Sequence, residues 1–429
     1  MSHDRREFLR RSTVLGASMA LPTLRPARTL PEDAGPQPPG RPFVDYLPVE
    51  TPNGSSLPWK VKDGVKVFHL RAQRVRHVFT PGLEGNCWGY NGSTPGPTIE
   101  AVEGDRVRIY VTNELDEPTT VHWHGLIVPC GMDGVGGLTQ RSIEPGETFR
   151  YEFELKQHGT FLYHSHHDEM VQMAMGMVGM IVVHPRVPSE PKADRDFVLL
   201  LGEWSVPVGT ERPNPIEMQD FNVLTINGKA FPTTAPLVCK LGERVRIRVG
   251  NLSAMDHHPL HVHGHAFVVT ETDGGVIPPG GRWPETAVLV ATGQTRTIEF
   301  TADNPGDWGV HCHMTHHVMT QMGHNVPNLT GVDPSLFDEK LTEVVPEFVA
   351  LGAIPSAADA PDPTLPKNSV PMQGAKGAFG YITMGGMVTL LKVRGGITSY
   401  ADPGHYQHPP GTVADVASED ELRRDGIEG

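Results

Sequence analysis

Cysteine is scarce in this chain, with four residues in 429. That is too few for a disulfide scaffold, so the fold has to rest on a hydrophobic core. Basic residues are outnumbered as well, 36 Lys and Arg against 50 Asp and Glu, and a net charge of −14 argues against a nucleic-acid partner. No apolar run reaches the roughly 18 residues of a membrane span. Hydrophobic residues still make up 38% of the chain and charged ones 20%, which with 47 glycines is a globular composition. The length suits two to three domains of roughly 150 residues. Against these shortages stand 22 histidines and 16 methionines.

The N-terminus reads Asp4-Arg5-Arg6-Glu7-Phe8-Leu9-Arg10, followed by a weakly apolar run from Thr13 to Leu21. Paired arginines ahead of a short apolar segment are the pattern of a twin-arginine signal peptide, placed at residues 1–27. The expected destination is the periplasm or the cell exterior, an oxidising setting that permits disulfides among Cys87, Cys130 and Cys239.

The body of the chain repeats itself. Arg106-Val-Arg-Ile-Tyr-Val111 and Arg244-Val-Arg-Ile-Arg-Val249 alternate polar and apolar residues as half-buried strands do. Each follows a Gly-acid pair and leads into an asparagine, Asn113 or Asn251. Asn91-Gly92 matches Asn227-Gly228, and Gly146, Thr148, Phe153 and Gly159 return as Gly293, Thr295, Phe300 and Gly306. Short strands, Gly/Pro turns and no long amphipathic helix predict an all-β protein of two tandem β-sandwich domains, at 65–188 and 195–325. Residues 326–429 read as a C-terminal extension: a Pro-rich linker over 354–371, one or two strands between Tyr381 and Val393, and a mobile acidic tail from Ser418.

Sixteen of the histidines lie in four short segments. Within them, His122/His124 and His164/His166 in the first unit correspond to His261/His263 and His311/His313 in the second. Residues i and i+2 of a strand share a face, so each pair aims two imidazoles at one locus, and imidazole binds Cu, Zn, Fe or Ni. Cys312 lies between His311 and His313, so its sulfur points away from both. With His258, His317 and the later Met322 it makes the two-His, one-Cys, distant-Met set of a blue-copper site. An electron arriving at that site could leave through the flanking His311 and His313. The plainer reading makes Cys312 a buried thiol and Met322 core packing.

These motifs resemble the multicopper oxidases, in particular their two-domain, small-laccase-like branch, over about residues 65–325. The resemblance implies two cupredoxin-like Greek-key domains and four coppers per functional unit. It assigns a type 1 copper to His258, Cys312 and His317 with Met322 axial. A type 2 copper falls to His122 and His261, and two type 3 coppers to His124, His164, His166, His263, His311 and His313. In the first domain Thr119, Ser165 and Met170 replace the type 1 His, Cys and His, leaving only Met175 as a match, so no type 1 copper is expected there. The resemblance further implies a homotrimer, each cluster shared between domain 1 of one chain and domain 2 of the next. It also makes Asp133 a proton relay to the cluster. Where some relatives carry a Glu before the last type 1 histidine, this chain has His316.

The implied reaction is oxidation of a phenolic or metal-ion donor, Cu(I) or Mn(II), coupled to reduction of O2 to water. The alternatives are a copper nitrite reductase-like enzyme and a non-enzymatic periplasmic copper-binding or tolerance protein. Met170, Met173, Met175, Met177 and Met180 fit either thioether capture of Cu(I) or core packing. Met372, Met384, Met387, His405 and His408 are equally open.

Overall fold

The computed structural model describes residues 38–188, 191–320, 340, 343–344, 367–370 and 374–427. The signal-like segment 1–27 and Met322 lie outside them. Among the described residues strands dominate, and the α-helices described along their whole length are Glu169–Ala174 and Glu419–Arg424, six residues each. None is long and apolar enough to cross a membrane. All four cysteines are free, Cys87, Cys239 and Cys312 buried and Cys130 exposed.

In the first sandwich, one sheet holds Trp59–Lys62, Val65–Thr80, Leu83–Tyr90, Arg106–Asn113 and Thr148–Glu154. The facing sheet holds Ile99–Val102, Val178–His184 and Gly159–His164. Arg106–Asn113 buries every second residue, as its alternation requires, and Val107, Ile109 and Val111 enter the core with Trp123, Tyr151 and Phe161. The second sandwich repeats the plan. Arg195–Trp204, Val223–Ile226, Arg244–Asn251, Thr295–Thr301 and Phe267–Thr272 form one sheet. The repeated Asn-Gly pairs are left-handed in both copies, Asn91/Gly92 at φ 53° and 80° and Asn227/Gly228 at φ 50° and 73°, a conformation that explains why these residue types recur.

The opposite sheet corrects the expected boundary at 325. Its order is Leu237–Lys240, Val388–Arg394, Gly306–Cys312, His258–Val262, Ala287–Val290. Val388–Arg394 runs parallel to Leu237–Lys240 and antiparallel to Gly306–Cys312, as Val178–His184 does between Ile99–Val102 and Gly159–His164. The region read as an extension therefore supplies an interior strand of the second domain. In the tail, Glu419–Arg424 is a helix with a Ser418/Glu421 capping box, which satisfies two of its orphan backbone donors.

The two sandwiches share a core. Val178, Met180 and Val182 of the first pack with Val198, Leu200 and Leu252 of the second. Arg244–Asn251 accordingly loses its alternation toward its C-terminal end. Arg248 is buried, pairs through two hydrogen bonds with Asp196, at 2.8 and 3.0 Å, and reaches Thr160 Oγ1 of the first domain at 2.9 Å. A Cβ on Gly250 would lie 2.6 Å from Met180 Sδ and 2.8 Å from Leu162 Cδ2, so a side chain there would push both first-domain residues aside.

Candidate metal centre

The His-x-His motifs sit at strand ends, where Gly159–His164, His258–Val262 and Gly306–Cys312 finish, except His122–His124, which is held by an isolated bridge from His122 to His164. The middle residues Trp123, Ser165, Val262 and Cys312 are buried, and of the flanking histidines His164 is buried while His263 and His313 are exposed. In the first domain His122 lies 5.7, 5.4 and 5.5 Å, centroid to centroid, from His124, His164 and His166. In the second His261 lies 4.7, 5.7 and 5.5 Å from His263, His311 and His313. Each domain thus carries a histidine quartet.

Hydrogen bonds set which ring nitrogen faces inward. The Nδ1–H groups of His122, His164, His261 and His311 donate to the carbonyls of Asp133, Ser165, Thr286 and Cys312 at 2.7, 2.8, 2.6 and 2.8 Å. A carbonyl only accepts, so the proton sits on Nδ1 and the Nε2 lone pair is free. His263 Nε2 and His311 Nε2 approach to 2.9 Å. His124 is turned the other way, with Nδ1 3.3 Å from His164 Nε2 and its other edge against Gly293 of the second domain. Burial pulls His164 down to about 3, so this ring is neutral at physiological pH.

A third group lies on the other side of Cys312. His258 Nδ1 and His317 Nδ1 are 3.2 Å apart, and Cys312 Sγ is 3.7 and 3.5 Å from them. Here Nε2 is the tethered nitrogen, to Ser253 Oγ at 2.6 Å in His258 and to Asp256 Oδ2 at 3.3 Å in His317. The carboxylate fixes the proton of His317 on Nε2 and leaves Nδ1 as a ligand atom. Burial pulls His258 down to about 3 and pushes the Cys312 thiol up to about 12.

Residues 71–188 match one family model described as multicopper oxidase, and residues 207–331 match a second with the same description. The chain belongs to the multicopper oxidases. Copper resistance protein A of Escherichia coli is 30% identical over 246 residues, 46% of this chain and 40% of that protein, so the chain spans well under half of that relative. Among solved structures it resembles the multicopper oxidase mgLAC, with a TM-score of 0.58 at 27% identity over 76% of this chain and 86% of the other. The blue copper oxidase of Nitrosomonas europaea gives 0.56 at 27% identity, over 76% and 85%. These neighbours share the two-sandwich, cupredoxin-like fold.

Members of the family are oxidases that use copper, and the donor sets here suit that ion. A point equidistant from the His258, Cys312 and His317 donor atoms lies about 2 Å from each, close to the bond length of a metal–imidazole contact. Imidazole and thiolate are its preferred ligands. Asp133 lies beside His122, with its carboxylate 3.5 Å from Nδ1 in addition to the carbonyl contact. Met322 falls outside the described residues. Among the described residues ring contacts join each quartet internally, and none joins one quartet to the other. The methionines of the first domain divide: Met175, Met177 and Met180 are buried core, Met173 packs against the shared core, and Met170 is exposed. Met387 is buried as well, while Met372 lies outside the described residues.

Four partners of the histidines went unread in the sequence. Ser253 and Asp256 sit just ahead of His258, where a polar pair beside a ligand could have been noticed. Thr286 acts through its backbone, which leaves no side-chain signature. Glu169 has its carboxylate 3.6 Å from both His164 Nδ1 and His166 Nε2.

Proposed function

We propose that the chain is an exported, laccase-like or metal-oxidising member of the family. It takes single electrons from a phenolic or metal-ion donor, Cu(I) or Mn(II), and reduces O2 to water. The observation that carries this reading is the placement of Cys312, whose sulfur faces His258 and His317 while its neighbours His311 and His313 belong to a quartet. In this reading His258, Cys312 and His317, together with Met322, would hold a type 1 copper. His122 and His261 hold the type 2 copper, and His124, His164, His166, His263, His311 and His313 the type 3 pair. Bound copper supplies reversible one-electron chemistry, so that four donor electrons and four protons turn one O2 into two waters.

The remaining work falls to the chain's own groups. The Nε2 edge of His317 and the half-exposed Asp256 carboxylate form the outer face of the Cys312 group, where a phenolic hydroxyl finds an acceptor and a metal cation a negative charge. The bond from His311 Nδ1 to the Cys312 carbonyl gives electrons a short covalent and hydrogen-bonded route inward. Asp133, partly exposed beside His122, is placed to hand protons from solvent toward the O2 site.

The unjoined quartets support completion of each cluster between chains. His263 and His313 are exposed, and large apolar side chains stand open nearby in sequence, Leu138 in domain 1 and Trp283 and Leu289 in domain 2. A homotrimer pairing domain 1 with the next chain's domain 2 covers them. The Arg5-Arg6 segment supports export to the periplasm or exterior.

Oxygen uptake by the copper-loaded protein, with a phenol, Mn(II) and Cu(I) compared side by side, tests the reading. Cys312→Ser should remove both the intense blue absorption and donor turnover. If the loaded wild-type protein consumes no oxygen with any of the three, the reading is wrong.

A further inference from the structure

The place in domain 1 that corresponds to the Cys312 group is filled. Thr119 corresponds to His258 and Ser165 to Cys312 in the repeat, and the backbone agrees: Ser165 N donates to Met177 O at 3.2 Å as Cys312 N donates to Met387 O at 3.2 Å. Between Thr119 and Ser165 lies the side-chain amide of Gln172, from the short helix Glu169–Ala174, and all three residues are fully buried. Gln172 Oε1 accepts from Thr119 Oγ1 at 2.7 Å and from Ser165 Oγ. Its Nε2 donates to Glu117 Oε1 and to the Pro118 carbonyl, both at 2.9 Å. Both donors and both acceptor sites of the amide are used, so the network is satisfied and rigid.

We propose that Gln172 is a positioning residue that does in domain 1 what a bound metal does at the matching place in domain 2. It ties the segment leading into His122 and His124 to the turn carrying His164 and His166. The inference rests on the reading of those four residues as cluster ligands. Thr119 begins the first segment, and its neighbour Thr120 receives the His166 amide on Oγ1 at 3.2 Å. Ser165 lies between the other two histidines, and its carbonyl orients the His164 ring. In domain 2 the equivalent strands are paired through their backbones, Leu260 opposite Cys312 and His261 opposite His311, and at that place they present His258, Cys312 and His317, whose side chains meet one another directly rather than through an amide. Hydroxyls and a neutral amide make poor copper ligands but join the same two strands without metal. The domain 1 half-site is therefore assembled before any copper arrives, and its geometry is independent of copper loading.

Two measurements on Gln172→Ala test this. In the metal-free protein, amide hydrogen exchange over 119–124 and 163–167 should rise about tenfold, while 258–262 and 306–312 stay as in wild type. In the copper-loaded protein the blue absorption of the Cys312 site should keep its wild-type strength while total copper per chain falls. A role confined to general stability would raise exchange in both domains and weaken the blue band in parallel. Unchanged exchange at 119–124 and 163–167, or a uniform rise across the chain, overturns the proposal. If Gln172→Ala does not fold, Thr119→Val removes one donor at nearly constant volume and is read by the same criteria. Wild-type protein with no copper beyond the blue site would instead overturn the cluster reading, and the metal-free exchange would still decide on Gln172.

Discussion

At His317 a single carboxylate controls the outermost edge of the proposed type 1 site. Asp256 accepts from the Nε2–H of His317, so Asp256→Asn loosens the ring while leaving Cys312 and His258 in place. Partners of this kind are worth about 10–100-fold in metal affinity or activity. Asp256→Asn should keep the blue colour and lose donor turnover on that scale, read as kcat/KM beside the absorption spectrum. Wild-type kcat/KM in the variant would remove Asp256 from donor binding. A second pair gives a pH signature away from the histidine quartets. The hydrogen bond to Glu103 raises His158 above its ordinary 6.5, and the same bond holds Glu103 below its ordinary 4.5. The His158 contribution is complete below 6.5 and fades as pH rises through its folded value. The Glu103 contribution is present above 4.5 and fades on acidification. His158→Gln should therefore cost about 1 kcal/mol near pH 5.5 and markedly less near pH 8.5, measured as urea midpoints. Equal losses at both values would mean the pair is not ionic. At this scale the sequence was readable wherever spacing of two or a few residues set the chemistry, as in the His-x-His pairs. It was opaque for Thr286 and Gln172, whose partners come from distant segments.

Among the elements, Val388–Arg394 carries the least expected role. It sits between Leu237–Lys240 and Gly306–Cys312 and backs the strand that bears His311 and Cys312. Met387, Val388, Leu391 and Val393 are buried there, at about 1.5–3 kcal/mol each. That sum is comparable to the whole stability of a domain. A chain ending at residue 331 should lose soluble, cooperatively folding protein, seen in yield and in thermal unfolding followed by circular dichroism. A truncated chain melting like the full one would show that the strand is dispensable. Alternation and the repeat made most other strands legible, since both are local patterns. This strand was legible as a strand but not as a member of the second sandwich, because chain distance says nothing about which sheet edge is vacant.

For the molecule as a whole, the central feature is that one chain carries two quartets with no ring contact between them among the described residues. If each cluster forms between chains, two defects in different domains complement each other. A His164→Ala/His166→Ala chain and a His263→Ala/His311→Ala chain should each be inactive alone. Co-expressed, they form mixed trimers in which about one junction in four pairs two intact halves. Oxygen uptake near a quarter of wild type is the expected result. No recovery in mixed trimers, or a wild-type protein that sediments as a monomer, would place the cluster within one chain.

By itself, the sequence determined the all-β class, the doubling of the unit, the pairing of the histidines and the family, since each follows from short-range periodicity or from motifs a few residues long. Tertiary structure alone decided the rest. It chose which nitrogen is free in His122, His164, His258, His261, His311 and His317, filled the vacant site of domain 1 with Gln172, and returned residues 388–394 to the second sandwich. These depend on hydrogen-bond partners and sheet neighbours up to about 150 residues away along the chain, and no local pattern encodes them.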